Sequence, residues 1–137
     1  MKMAIGIAWT VGLPSGWGVY GQNLALQMRA KGYLPVLLSH PATGAGDALR
    51  DALTARAASE SASLARLIGS RARDLPYPIL HGLADGLEFP DYWGRLHGRP
   101  DIGVAFFEHK DIRPEVLERA RNLALVVTGS TWNTQVL

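Results

Sequence analysis

Five short apolar runs punctuate the chain, at residues 4 to 10, 34 to 39, 77 to 81, 102 to 107 and 123 to 128. Each is strand-sized, lacks strict polar–apolar alternation and is bounded by glycine, proline or polar residues. Such runs are the mark of strands buried on both faces, which occur where helices cover a parallel sheet. Pro35 stands at the start of the second run, where a strand tolerates it, and Pro78 weakens the third. The pattern predicts an α/β fold, a Rossmann-like parallel sheet flanked by helices.

The segments between the runs carry the helices. The loop of residues 12 to 21, GLPSGWGVYG, leads into a helix with Val19, Leu24, Leu26 and Met28 among polar residues, closed by Lys31-Gly32. The first forty residues therefore read strand, helix, strand, one βαβ unit with a right-handed crossover. Residues 47 to 73 show a broken stripe of Leu49, Leu53, Ala57, Leu64 and Leu67-Ile68, and Ser59, Ser61 and Ser63 predict a division into two helices. Residues 82 to 100, rich in Gly and Pro, read as a loop anchored by Tyr92 and Trp93. Pro114 at a first turn, after Asp111 or Arg113 and followed by Glu115, opens another helix that ends near Asn122. Ser130 is a suitable N-cap for a last one.

Length and composition fit one folded unit, residues 1–137, with 47% hydrophobic and 19% charged residues. The absence of cysteine excludes disulfide scaffolds, thiolate zinc sites and cysteine nucleophiles. A net charge of +2 with no clustered basic patch argues against nucleic acid as a partner. No apolar stretch approaches the roughly 20 residues of a membrane span, and the opening apolar run lacks a small-residue cleavage site, so a cytoplasmic protein is expected.

Two segments carry candidate chemistry. Gly16-Trp17-Gly18-Val19-Tyr20-Gly21 is a G-x-G-x-x-G sequence between a strand and a helix. Glycines there let a backbone approach a phosphate or sugar at the positive end of a helix. Trp17 is expected to stand exposed over the site. A dinucleotide site also needs an acid at the end of the second strand to hold the ribose. That strand ends in Ser39-His40, with no acid before Asp47. The second segment is Glu108-His109-Lys110, just past the fourth run, where ligands of open α/β sheets bind. Glu108 can accept hydroxyl hydrogen bonds and His109 can titrate near neutral pH. His81, Asp85, Asp91 and His97 are too dispersed to indicate a metal site, and none is expected. There is neither a Gly-x-Ser-x-Gly nucleophile elbow nor a Gly-Lys-Ser/Thr phosphate loop.

The opening AWTVGLPSGWGVYGQNLALQMRAKGYLPVLLS and the closing IGVAFFEHKDIRPEVLERARNLALVVTGSTWNTQVL resemble family 4 (group 1) glycosyltransferases of the GT-B fold. The closing match is the more specific, through Ser130-Thr131-Trp132-Asn133-Thr134-Gln135-Val136-Leu137, and residues 41 to 76 add nothing to it. The resemblance implies the N-terminal, acceptor-binding domain of a retaining enzyme that moves a sugar from a nucleotide-sugar donor to an unknown acceptor. The donor is a substrate, and no cofactor or metal is implied. Gly16, Trp17 and Gly18 fall on the loop that approaches the donor diphosphate, and Glu108 and His109 near the acceptor-side polar residues. The resemblance implies a donor-binding C-terminal domain beyond residue 137, so this chain alone is expected to be inactive. The apolar face such a domain would cover leads to an expected tendency to self-associate. The rivals are a nucleotide-binding oxidoreductase domain and a non-catalytic binding module.

Overall fold

A computed structural model describes residues 2–12, 14–44, 47–66, 74–84, 87–89, 96–106 and 112–137, save the side chains of 132 and 133. The elements follow in the order β1 (Ala4–Ala8), α1 (Gly16–Ala30), β2 (Leu34–Leu37), α2 (Ala48–Ala65), β3 (Ile79–Leu83), β4 (Asp101–Ala105), α3 (Pro114–Ala120), β5 (Leu125–Thr128) and α4 (Thr131–Val136). The five strands form one sheet in the order β2-β1-β3-β4-β5, every pair parallel. The chain is thus an α/β, Rossmann-like sheet flanked by helices. β3 lies beside β1 and not beside β2, so the strand order reverses between β1 and β3.

That reversal makes β3 the central strand, and all five of its residues are buried. On one face Ile7, Trp9, Val11, Leu37, Leu80 and Val104 pack with Ala25 of α1. The opposite face holds two clusters. One joins Ala8, Val36 and Ile79 to Leu75, Tyr77 and Leu96, and the other joins Leu83 and Ala105 to Val116 of α3. Each fully buried aliphatic side chain contributes about 1.5–3 kcal/mol.

Several boundaries differ from the sequence reading. The helix begins at Gly16, so the glycine sequence is the first turns of α1 and not a loop. Ser15 is its N-cap, its hydroxyl accepting from the Gly18 amide at 2.9 Å. The buried face of α1 is Gly18, Gly21, Gln22 and Ala25, and its two glycines and alanine bring the helix close to the sheet. Residues 48–65 form one helix and not two. Asp47 caps its start, and Ser61 is absorbed by bonding back to the Ala57 carbonyl at 3.0 Å. β3 begins one residue after Pro78, whose ring cannot donate to the ladder. Arg113 is the N-cap before Pro114, without a side-chain bond. Tyr92, Trp93 and Asp111 lie outside the described residues. No described helix is long and apolar enough to cross a membrane.

Candidate aromatic cleft at the switch point

The carboxyl ends of β1, β3 and β4 meet where the strand order reverses. Ligands of open α/β sheets bind in the crevice beyond such a point. Trp9 follows β1 directly, buried, and its indole donates to the Trp17 carbonyl at 3.1 Å. Gly12, at φ +101°, holds a left-handed turn, and its amide bonds the Gly18 carbonyl at 2.7 Å. The loop after β1 is thereby stitched to the start of α1.

The three glycines of the sequence motif do different things. Gly16 is exposed, with nothing within 4 Å of where a Cβ would stand. Gly18 is buried, and a Cβ on it would run into the Gly12 carbonyl oxygen. A Cβ on Gly21 would run into the Trp9 indole nitrogen and stand 2.8 Å from Val11 Cγ1. Close packing therefore accounts for Gly18 and Gly21, and only Gly16 is open to an approaching ligand. The ordering of β3 beside β1 also departs from the consecutive β1-β2-β3 half of a dinucleotide-binding fold.

Trp17 is half-buried, not fully exposed as the sequence predicted, and forms a wall between two hollows. The larger, about 340 Å³, is lined by Gly16, Trp17, Tyr20 and Phe106. The smaller, about 190 Å³, lies over the strand ends and is lined by Trp9, Trp17, Gly82, Leu83 and Ala84. The rings brace one another. Trp17 and Phe106 meet edge to face at 4.9 Å and 80°, as do Tyr20 and Phe106 at 4.9 Å and 79°. Trp9 stacks on Tyr20 at 6.2 Å. Burial raises the Tyr20 hydroxyl above its ordinary pKa, so it stays a neutral donor. Sequence reasoning singled out Trp17 but missed Tyr20 and Phe106. Their signal was available: Tyr20 stands three residues after Trp17 in a helix, and Phe106 stands next to last in an apolar run.

Glu108 and His109 lie outside the described residues; they follow Phe106 by two and three positions. Of the dispersed histidines and acids, Asp85 and Asp91 also lie outside. The structure joins His81 and His97 through Asp101, which sequence reasoning did not weigh. His81 Nε2 is 2.7 Å from Asp101 Oδ1, and His97 Nδ1 is 3.1 Å from Oδ2. The Gly98 amide donates to Oδ1 at 2.7 Å. His81 is fully buried and its Nδ1 has no hydrogen-bond partner. Burial, partly opposed by Asp101, lowers its pKa. Partial burial pushes the Asp101 carboxyl up, but the Gly98 amide and both histidines outweigh that and hold it below its ordinary value. The cluster sits at the start of β4, away from the aromatic cleft. Among the described residues no group of three or more His, Asp or Glu side chains is placed to hold a metal ion.

No family model, curated protein or solved structure matches the chain.

Proposed function

We propose that the chain is the acceptor-side domain of a retaining glycosyltransferase, which transfers a sugar from a nucleotide-sugar donor to an acceptor held in the aromatic cleft. The observation that carries this reading is the cleft itself, lined by Gly16, Trp17, Tyr20 and Phe106 at the carboxyl edge of the sheet beside the switch point. The sequence resemblance at both ends of the chain supports it independently.

In this reading the open start of α1 at Gly16 faces the donor diphosphate, where backbone amides and the helix dipole favour negative charge. Gly18 shapes that turn from within and does not touch the donor. Glu108 accepts a hydrogen bond from the acceptor hydroxyl, and His109 holds or moves a proton beside it. Rate comes from positioning and from stabilising the departing diphosphate. The donor's remaining contacts belong to a second domain. The side of β5 that carries Leu125 and Val127 is 55% and 36% exposed at those residues, and it is the apolar surface expected to promote self-association of this chain; sedimentation of Leu125→Lys against the unaltered chain tests that point.

The test of the reading uses the gene read beyond Leu137, assayed for nucleoside diphosphate release from UDP-, GDP- and ADP-sugars. Turnover is expected, lost in Glu108→Ala and Gly16→Trp and kept in Gly16→Ala, which fits the open space. A reading frame that stops at Leu137, or no donor turned over, overturns it.

A further inference from the structure

The larger hollow carries more information than its position. Among the described residues its walls are three aromatic rings and one glycine, and two of the ring pairs meet edge to face at 4.9 Å. The rings cannot easily swing away. Trp17 is backed by Gly82, where a Cβ would stand 3.4 Å from its ring, and Phe106 lies so close over Gly129 that any Cβ there would strike it. The hollow is therefore preformed. Its volume of about 340 Å³ is roughly twice that of a cavity known to hold benzene, about 150 Å³. One or two fused rings fit.

The lining also discriminates by polarity. A hexose stacked by its C–H face on one of these rings would turn its in-plane hydroxyls toward the others, which stand nearly perpendicular. Among the described lining residues, the Tyr20 hydroxyl and the Trp17 indole N–H are the two polar side-chain groups that can meet them, fewer than the hydroxyls of a hexose. A hydroxyl buried without a partner is a large penalty. A flat apolar ring has no such penalty and adds further edge-to-face contacts.

We infer that this hollow seats a planar aromatic ring of the acceptor, so that the acceptor is an aromatic aglycone and not a free sugar. The inference rests on the proposed glycosyltransferase reading only for the word acceptor; the ring site stands on the geometry of Trp17, Tyr20 and Phe106.

The experiment titrates the chain with phenyl α-glucoside, 2-naphthyl α-glucoside and methyl α-glucoside, the anomer a retaining transfer would form, by calorimetry and by the indole N–H signals in a 15N-resolved NMR spectrum. The aryl glucosides are expected to bind at least about tenfold more tightly than the methyl glucoside, from the apolar area of the ring. The Trp9 indole signal, whose proton bonds the Trp17 carbonyl, is expected to shift with them. Phe106→Leu, which keeps an apolar filler, is expected to remove most of that preference, with the folded NMR spectrum as control. Equal binding of methyl and aryl glucosides overturns the inference, as does aryl binding that Phe106→Leu leaves unchanged. Absence of aryl binding up to ~10 mM, a few kcal/mol of affinity, also overturns it. Donor turnover by the longer protein with no aryl preference here sinks the aromatic acceptor and keeps the enzyme reading. Aryl binding without any donor turnover does the reverse.

Discussion

Gly16 and Gly18 are two positions apart and share a motif, yet a methyl group means opposite things at each. At Gly16 the space is empty and the backbone is helical, so Gly16→Ala is expected to hold or raise stability, by up to about 1 kcal/mol, through the lower backbone entropy of the unfolded chain. At Gly18 the methyl meets the Gly12 carbonyl, and Gly12 is itself fixed by the hydrogen bond its N–H donates to the Gly18 carbonyl and by its left-handed φ. Backbone must move, and Gly18→Ala is expected to destabilise by about 1–3 kcal/mol. Urea denaturation of the two variants beside the parent checks both signs; equal effects would mean that the loop after β1 does not pack on α1 as described. The spacing G-x-G-x-x-G was legible in the sequence, but spacing cannot tell a glycine that leaves room for a ligand from one that leaves room for its own loop.

The helices show how far local signals reach and where they stop. Pro114 marked the start of α3 in the sequence through its fixed backbone angle, whereas the caps Ser15 and Asp47, which accept from amides two or three residues on, were passed over in reading the sequence. The break expected near Ser59 to Ser63 did not occur, because Ser61 hydrogen-bonds its own helix while buried and so has no need to end it. What holds α2 in place was not legible at all. It packs along β2 and α1 with little large apolar surface, and a buried polar contact joins it to α1: Gln22 donates to Thr54 Oγ1 at 3.0 Å and, more weakly, to Asp51 at 3.4 Å. Gln22 is 4% exposed and Thr54 fully buried. Thr54→Val keeps the shape and removes the acceptor, leaving an amide proton buried, and is expected to cost about 1–3 kcal/mol. Adding Gln22→Leu removes the donor as well and is expected to recover part of that loss. Thermal melts of the two singles and the double close the cycle; a strictly additive double would show that the contact carries no coupling.

At the scale of the whole molecule, the apolar runs announced a parallel sheet, because strands covered on both faces have no polar side to show. They did not announce its order. Which edge β3 joins depends on contacts across dozens of residues, and the same is true of the contact that fastens β3 to β4, His81 to Asp101, twenty residues apart. This contact ties stability to pH. With Nε2–H donated to Asp101, His81 Nδ1 is an unprotonated acceptor sealed in the core without a partner. Burial lowers the folded pKa below the 6.5 of the unfolded chain. The unfolded state therefore takes up a proton first as pH falls, and stability declines below pH 6.5 with a slope of up to about 1.4 kcal/mol per pH unit for one proton. Asp101 acts later with the same sign: its folded carboxyl is held below the ordinary 3.8, so its contribution is lost only below that pH. Chemical denaturation at a series of pH values is expected to show two separated declines. His81→Gln, whose amide can donate to Asp101 but carries no titrating ring, is expected to abolish the first and leave most of the second. A first decline that survives in His81→Gln would place its source elsewhere and show that the buried imidazole does not govern the acid limit of this fold.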